Sequence, residues 1–269
     1  MLISTIEDYI SETGKHEDVW FRGVSSKSYS PKPKVHWAGI SRDLEDDLVY
    51  NFLKDHFKYH SPKNDNPWYL YSLMQHHGLP TRLLDWTKSP LVALYFALTQ
   101  PEEKKHNPRV WLLNPYRLNS TVLGYERVYC PSQSNLRYIK TKNYFCTKEL
   151  ELKPYKADVS IKLLFDSYLP ANLVSDEVHR RLDFPIAIDT IPLDARMSAQ
   201  QSVFTIHGKD SFDLAKHSSD HLIDYIDIDY SAKEKILQQL FKLGFNEDSI
   251  YCTLDSLAQR ICRERLSEL

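Results

Sequence analysis

Glycine is scarce in this chain. Its 269 residues include 7 glycines, where average usage of roughly 7% would supply about 19. Neither GxGxxG nor GxxxxGK[ST] occurs, so no glycine-rich loop is present to cradle a phosphate, and Rossmann and P-loop binding are poor readings. Any nucleotide must instead be held by side chains and isolated backbone turns. An excess of one charge is also lacking: 34 Lys and Arg against 36 Asp and Glu give a net charge of −2. No global basic field argues for nucleic acid, and the local group Lys32, Lys34 and Arg42 reads as a solvated face. No run approaches the roughly 20 apolar residues of a membrane span, and the start of the chain has neither the basic nor the apolar region of a signal peptide. The expected location is cytoplasmic. The cysteines Cys130, Cys146, Cys252 and Cys262 show no CxxC spacing and are expected as reduced, mostly buried thiols. HExxH is absent, and adjacent His76 and His77 would point about 100° apart on a helix, so no metal is expected.

What is present is ordinary globular material, 42% hydrophobic and 26% charged. The expected fold is α+β: a single domain over 1–269 with a mixed or antiparallel sheet decorated by amphipathic helices. Its motif core spans about 19–208, and a helical segment runs over about 231–269. Leu2, Ile3, Ile6, Tyr9 and Ile10 share a helical face, and Asp18 to Val24 reads as a short strand ending in a turn. Leu44, Leu48, Phe52, Leu53 and Phe57 mark an amphipathic helix over Ser41 to His60, and Trp68 to His77 a second. Gly78 and Pro80 end that helix, Thr81 to Thr87 is extended, and Ser89-Pro90 opens the next helix. From Arg109 the character is β out to Ile191, and Gln201 to His207 is a late strand. Ser231 to Glu234 reads as a capping box before the first of two closing helices, the second over Thr253 to Leu266.

Two places concentrate chemistry. Arg22 follows Val19, Trp20 and Phe21 and precedes Gly23, so its charge needs an answer, either a structural salt bridge or a bound anion. Gly23 allows close backbone approach. Gln75, His76, His77, Thr81, Arg82, Asp85, Trp86 and Thr87 crowd around a helix-to-strand break. Extended geometry puts Thr81, Leu83, Asp85 and Thr87 on one face and Arg82, Leu84 and Trp86 on the other. Asp85 then sits beside hydroxyls near the partial positive charge of the next helix's start. Arg196, Gln200 and Gln201 form a third polar group before the late strand.

Phe21-Arg22-Gly23, the run Gln75 to Thr87, Ser89-Pro90 and Ala93 to Ala97 together resemble the FRG domain, a bacterial and phage-associated family named for its [FY]RG motif. Arg196, Gln200-Gln201 with Phe204-Thr205, and Leu254-Asp255 resemble its later signatures, with Ser202 where the family has glycine. The resemblance implies a toxin or phage-defence effector whose layout is similar in outline to the ADP-ribosyltransferase fold, with NAD as substrate. It implies Arg22, His76, Asp85 and Gln201 as catalytic residues: Arg22 on phosphate, Asp85 as the carboxylate, and Gln201 where that fold carries glutamate. Gly23, Thr81, Arg82, Thr87 and Gln200 would bind substrate. Two other classes stay open. One is a metal-independent nucleic-acid-directed enzyme using His76 as acid/base with Arg22 and Arg82 on phosphate. The other is a non-catalytic interaction module in which the polar motif is structural. The partner would be a protein or nucleic-acid target, with no membrane involved and the oligomeric state left open.

Overall fold

The computed structural model describes residues 1–59, 65–101, 106–133, 136, 160–174, 184–208, 213–216 and 222–266. The fold is α+β, a seven-stranded mixed sheet between two helical layers. The strands are β1 (Leu2–Ile3), β2 (Trp20–Val24), β3 (Leu83–Thr87), β4 (Arg109–Leu113), β5 (Ile186–Ile188), β6 (Ser202–Ile206) and β7 (Ile223–Ile228), in the order β1-β7-β4-β2-β3-β6-β5. β1 runs parallel to β7, and every other pairing is antiparallel.

The two-residue period of β2, β4 and β7 feeds two apolar cores, whereas the buried apolar residues of β3, β5 and β6 all join the first. On β4, Trp111 and Leu113 enter one core while Val110 and Leu112 enter the other. The first core is covered by α3 (Arg42–Asp55), α4 (Pro67–His76), α6 (Pro115–Leu123) and α7 (Ile161–Asp166). The second is covered by α1 (Ile6–Thr13), α5 (Pro90–Thr99), α9 (Lys233–Lys242) and α10 (Glu247–Tyr251). Three further helices are α2 (Lys34–Trp37), α8 (Ala195–Ala199) and α11 (Leu254–Leu266).

α5 shows how local chemistry sets the frame. The Ser89 hydroxyl accepts from the Val92 N–H, Pro90 takes the first helical turn, and residues from Val92 to Leu98 are almost all buried. Gly23 makes the close approach of β2 to α5 possible: a Cβ there would lie 1.9 Å from the Ala93 carbonyl oxygen.

Several expectations are corrected. Leu2 and Ile3 form edge strand β1, and Thr5 caps α1 after them, so they are not on its helical face. On α3 the buried face is rotated by one residue: Glu45 and Val49 are inside, while Leu44 is 49% exposed, and Phe57, in the 3-10 turn after the helix, is 62% exposed. A glutamate takes the core position because Arg82 needs it. Arg82 Nε donates to Glu45 Oε1 at 2.9 Å, and the Tyr71 hydroxyl donates to the same oxygen. The β-like stretch after Leu113 contains α6, capped by Asn114, and α7, capped by Ser160. The Ser231 hydroxyl donates to Asp229 instead of capping α9, and three helices, α9 to α11, close the described chain. Cys252 and Cys262 are exposed and Cys130 is half-buried, against the expectation of mostly buried thiols; Cys146 lies outside the described residues. Among the described residues no helix is long and apolar enough to cross a membrane.

Candidate functional site

The two central strands meet only briefly. β2 pairs β3 at one position, Phe21 with Thr87, whereas β2–β4 and β3–β6 each run five residues in register. Beyond that single pair the space between the strands opens into a cleft of about 250 Å³, with Arg22 and Gly23 on one side and Asp85 and Trp86 on the other. Arg22 bridges the opening. Its Nη1 donates to the Asp85 carbonyl at 2.7 Å, supplying the bond that a paired strand would have made. The Asp85 carboxylate lies 4.0 Å from the same nitrogen. Arg22 is 25% exposed and Asp85 56%, so the pair faces solvent from the cleft floor. Desolvation lowers the Arg22 pKa from its ordinary value, with Asp85 opposing.

Gln75 fixes the carboxylate. From the last turn of α4 its Nε2 donates to Asp85 Oδ2 at 2.9 Å, while its Oε1 accepts from the Thr81 hydroxyl at 2.5 Å. The Leu83 N–H in turn donates to Thr81 Oγ1. An amide that donates at one end and accepts at the other suits this relay, and it ties the Asp85 carboxylate to the end of α4.

His76, one residue on, sits at the cleft wall with Nε2 3.1 Å from Asp194 Oδ2. Asp194 is oriented by its second job, capping α8: its Oδ1 accepts from the Met197 N–H at 2.9 Å. Desolvation lowers the His76 pKa despite the opposing Asp194. His77 is exposed beyond it, with the two rings 5.1 Å apart and near-perpendicular. Among the described residues no three His, Cys, Asp or Glu side chains gather as they would around a metal ion.

α8 and β6 supply the opposite wall through Arg196, Gln200, Ser202 and Phe204. This wall is tied to both neighbours. Thr87 donates its hydroxyl to the Gln200 carbonyl at 2.6 Å, Gln200 Nε2 donates to the Ile250 carbonyl, and the Arg196 guanidinium lies over the Tyr251 ring.

Arg22, Gly23, His76, Asp85, Thr87 and Gln200 therefore converge on one open cleft. The remaining candidates do not line it. Thr81 is buried behind Gln75, and Arg82 is sealed in the core against Glu45. Gln201 is exposed at a left-handed turn, φ 48°, where its carbonyl accepts from the Lys88 N–H. Sequence reasoning missed Asp194, although an aspartate before Ala195 to Ala199 is a recognisable N-cap signal. It also missed Phe96 of α5 and Gln100 just past its end, which reach the cleft from a helix that reads simply as core.

Residues 17–106 match the family model of the FRG domain. The match holds β2, α4, β3 and α5, and it ends before α8, β6 and Leu254-Asp255. No curated protein and no solved structure matches the chain.

Proposed function

We propose that this chain, carrying an FRG domain over residues 17–106, binds NAD in the cleft between β2 and β3. There it breaks the bond between nicotinamide and ribose, passing the ADP-ribosyl group to water or to a target nucleophile. The observation that carries this reading is the meeting of Arg22 and Asp85 in an open cleft, with Gln75 immobilising the carboxylate.

The chemistry follows from those groups. Arginine has five N–H donors, and the one bonded to the Asp85 carbonyl leaves a guanidinium facing the cleft for a phosphate. As the C1′–N bond breaks, its electron pair leaves with the nicotinamide ring and positive charge builds on the ribose. A fixed carboxylate is the stabiliser that this charge calls for. Water then adds to C1′ and gives up a proton. His76 is the acceptor, because burial lowers its pKa and favours the neutral imidazole. The products are ADP-ribose, nicotinamide and one proton. A toxin or phage-defence role is the biological form such NAD consumption would take.

The test is nicotinamide release from NAD by the purified protein. Asp85→Asn keeps an acceptor for Gln75 and is expected to cut release by about 10²–10³-fold, the usual effect of removing one transition-state electrostatic partner. Wild-type protein that neither cleaves nor binds NAD or ADP-ribose would sink the proposal. The Thr81–Gln75–Asp85 relay also fits a purely structural tie among α4, β2 and β3. In that case Asp85→Ala would lower the melting temperature and nothing else.

A further inference from the structure

A second cleft of about 320 Å³ adjoins the first. Ser72 lines both. The connection is made by one face of α4: Trp68, Tyr69 and Ser72 line the second cleft, and Ser72, Gln75 and His76 the first, at successive helical turns. From Trp68 to His76 this face is about 12 Å long at 1.5 Å per residue. The far wall of the second cleft is the segment after β5, Ile188 to Leu193, which leads directly into Asp194 and α8.

The two clefts differ in chemistry. The first presents Arg22, Asp85, His76 and Arg196, which suit phosphate and ribose. The second is walled by Trp68, Ile188, Ile191, Pro192 and Leu193, with Thr190 and Ser132 as hydrogen-bonding groups. Apolar walls with a few polar groups suit a flat heterocycle. Ligand pockets commonly hold about 300–1,000 Å³. The first cleft alone falls short of that range, and the two joined lie within it.

We infer that the second cleft is the subsite for the far base of a dinucleotide, an adenine-type ring, and that α4 sets the distance between it and the ribose–phosphate end held at Arg22. The inference rests on the NAD reading of the first cleft and makes the ligand a dinucleotide, not a mononucleotide. Binding is compared by calorimetry for NAD and nicotinamide mononucleotide, which lacks the second nucleotide. NAD is expected to bind about 30-fold tighter, the worth of one seated base. Ile191 is 55% exposed on the wall loop, so Ile191→Asp is expected to fold normally and to shrink that gap to about three-fold or less. Equal binding of the two by the wild type, or a gap untouched by Ile191→Asp, overturns the subsite while nicotinamide release from both keeps the first cleft's assignment. Failure of both compounds to bind or react removes that assignment and this inference together.

Discussion

Removing the Glu45 carboxylate is expected to be the most damaging single truncation on α3. The Arg82 side chain is 2% exposed and Glu45 3%, at 2.9 Å. Desolvation opposes the Arg82 charge, yet Tyr71 and Glu45 more than offset it and raise its pKa above the ordinary value. Arg82 Nη1 and Nη2 find no hydrogen-bond partner among the described residues, so Glu45 is the main answer to a charge enclosed by core. Glu45→Ala leaves that charge buried and unpaired, which costs about 3–5 kcal/mol. At about 2–4 °C per kcal/mol for a chain of this size, the melting temperature should fall by roughly 6–20 °C. Replacing both partners, Glu45→Leu with Arg82→Met, removes the charge with its partner and should recover most of the loss or exceed the wild type. Calorimetry or circular dichroism on the three proteins reads the outcome. A Glu45→Ala protein as stable as the wild type would refute the reasoning, as would a double variant no better than the single. The same experiment separates the two arginines, because the double variant should still release nicotinamide if only Arg22 serves the cleft.

Gly23→Ala forces a Cβ to 1.9 Å from the Ala93 carbonyl and 2.6 Å from the Ala97 nitrogen, both backbone. Side-chain adjustment cannot relieve this, so a loss at or beyond the top of the usual ~1–3 kcal/mol for overpacking is expected in a urea melt. His207 is buried, and burial, with His36 and Arg22 adding, holds its pKa well below the ordinary histidine value. Below about pH 6.5 the unfolded chain takes up a proton that the folded one refuses. Stability should therefore be full above that pH and fall as the solution is acidified. His207→Gln keeps a hydrogen-bonding group for Thr205 and should flatten the slope of the urea midpoint between pH 7.5 and 5.5. Gln201→Gly removes a non-glycine side chain from φ 48° and should add about 1 kcal/mol in the same melt, with nicotinamide release unchanged because Gln201 lies outside the cleft.

The frame around the cleft is legible where local chemistry decides it. Ser89-Pro90 starts α5, Gly78 and Pro80 separate α4 from β3, a run of bulky residues ending in a turn marks β2, and the compact extended stretch after Pro80 marks β3. Arg22, His76 and Asp85 are likewise readable as a group, because polar side chains crowded at strand ends need partners. What periodicity misses depends on distant residues. The face of α3 turns toward Glu45 because an arginine 37 positions away in the core requires it. Leu2 and Ile3 join the sheet only because β7 offers an edge 225 residues later. Gln201 and Gln200 are neighbours with opposite fates: the positive φ at Gln201 sends one to solvent and leaves the other against the cleft, a distinction that no residue type announces.

The cleft's two walls have different pedigrees. The side carrying Arg22, Gln75, His76 and Asp85 falls inside the matched segment, while Arg196, Gln200, Ser202 and Phe204 come from chain well past its end. Under the proposed reaction, substitutions on the second wall would retune what is admitted while Arg22 and Asp85 stay in place. On that proposal, two proteins that share the segment would share a way of breaking a bond and differ in which molecule they break.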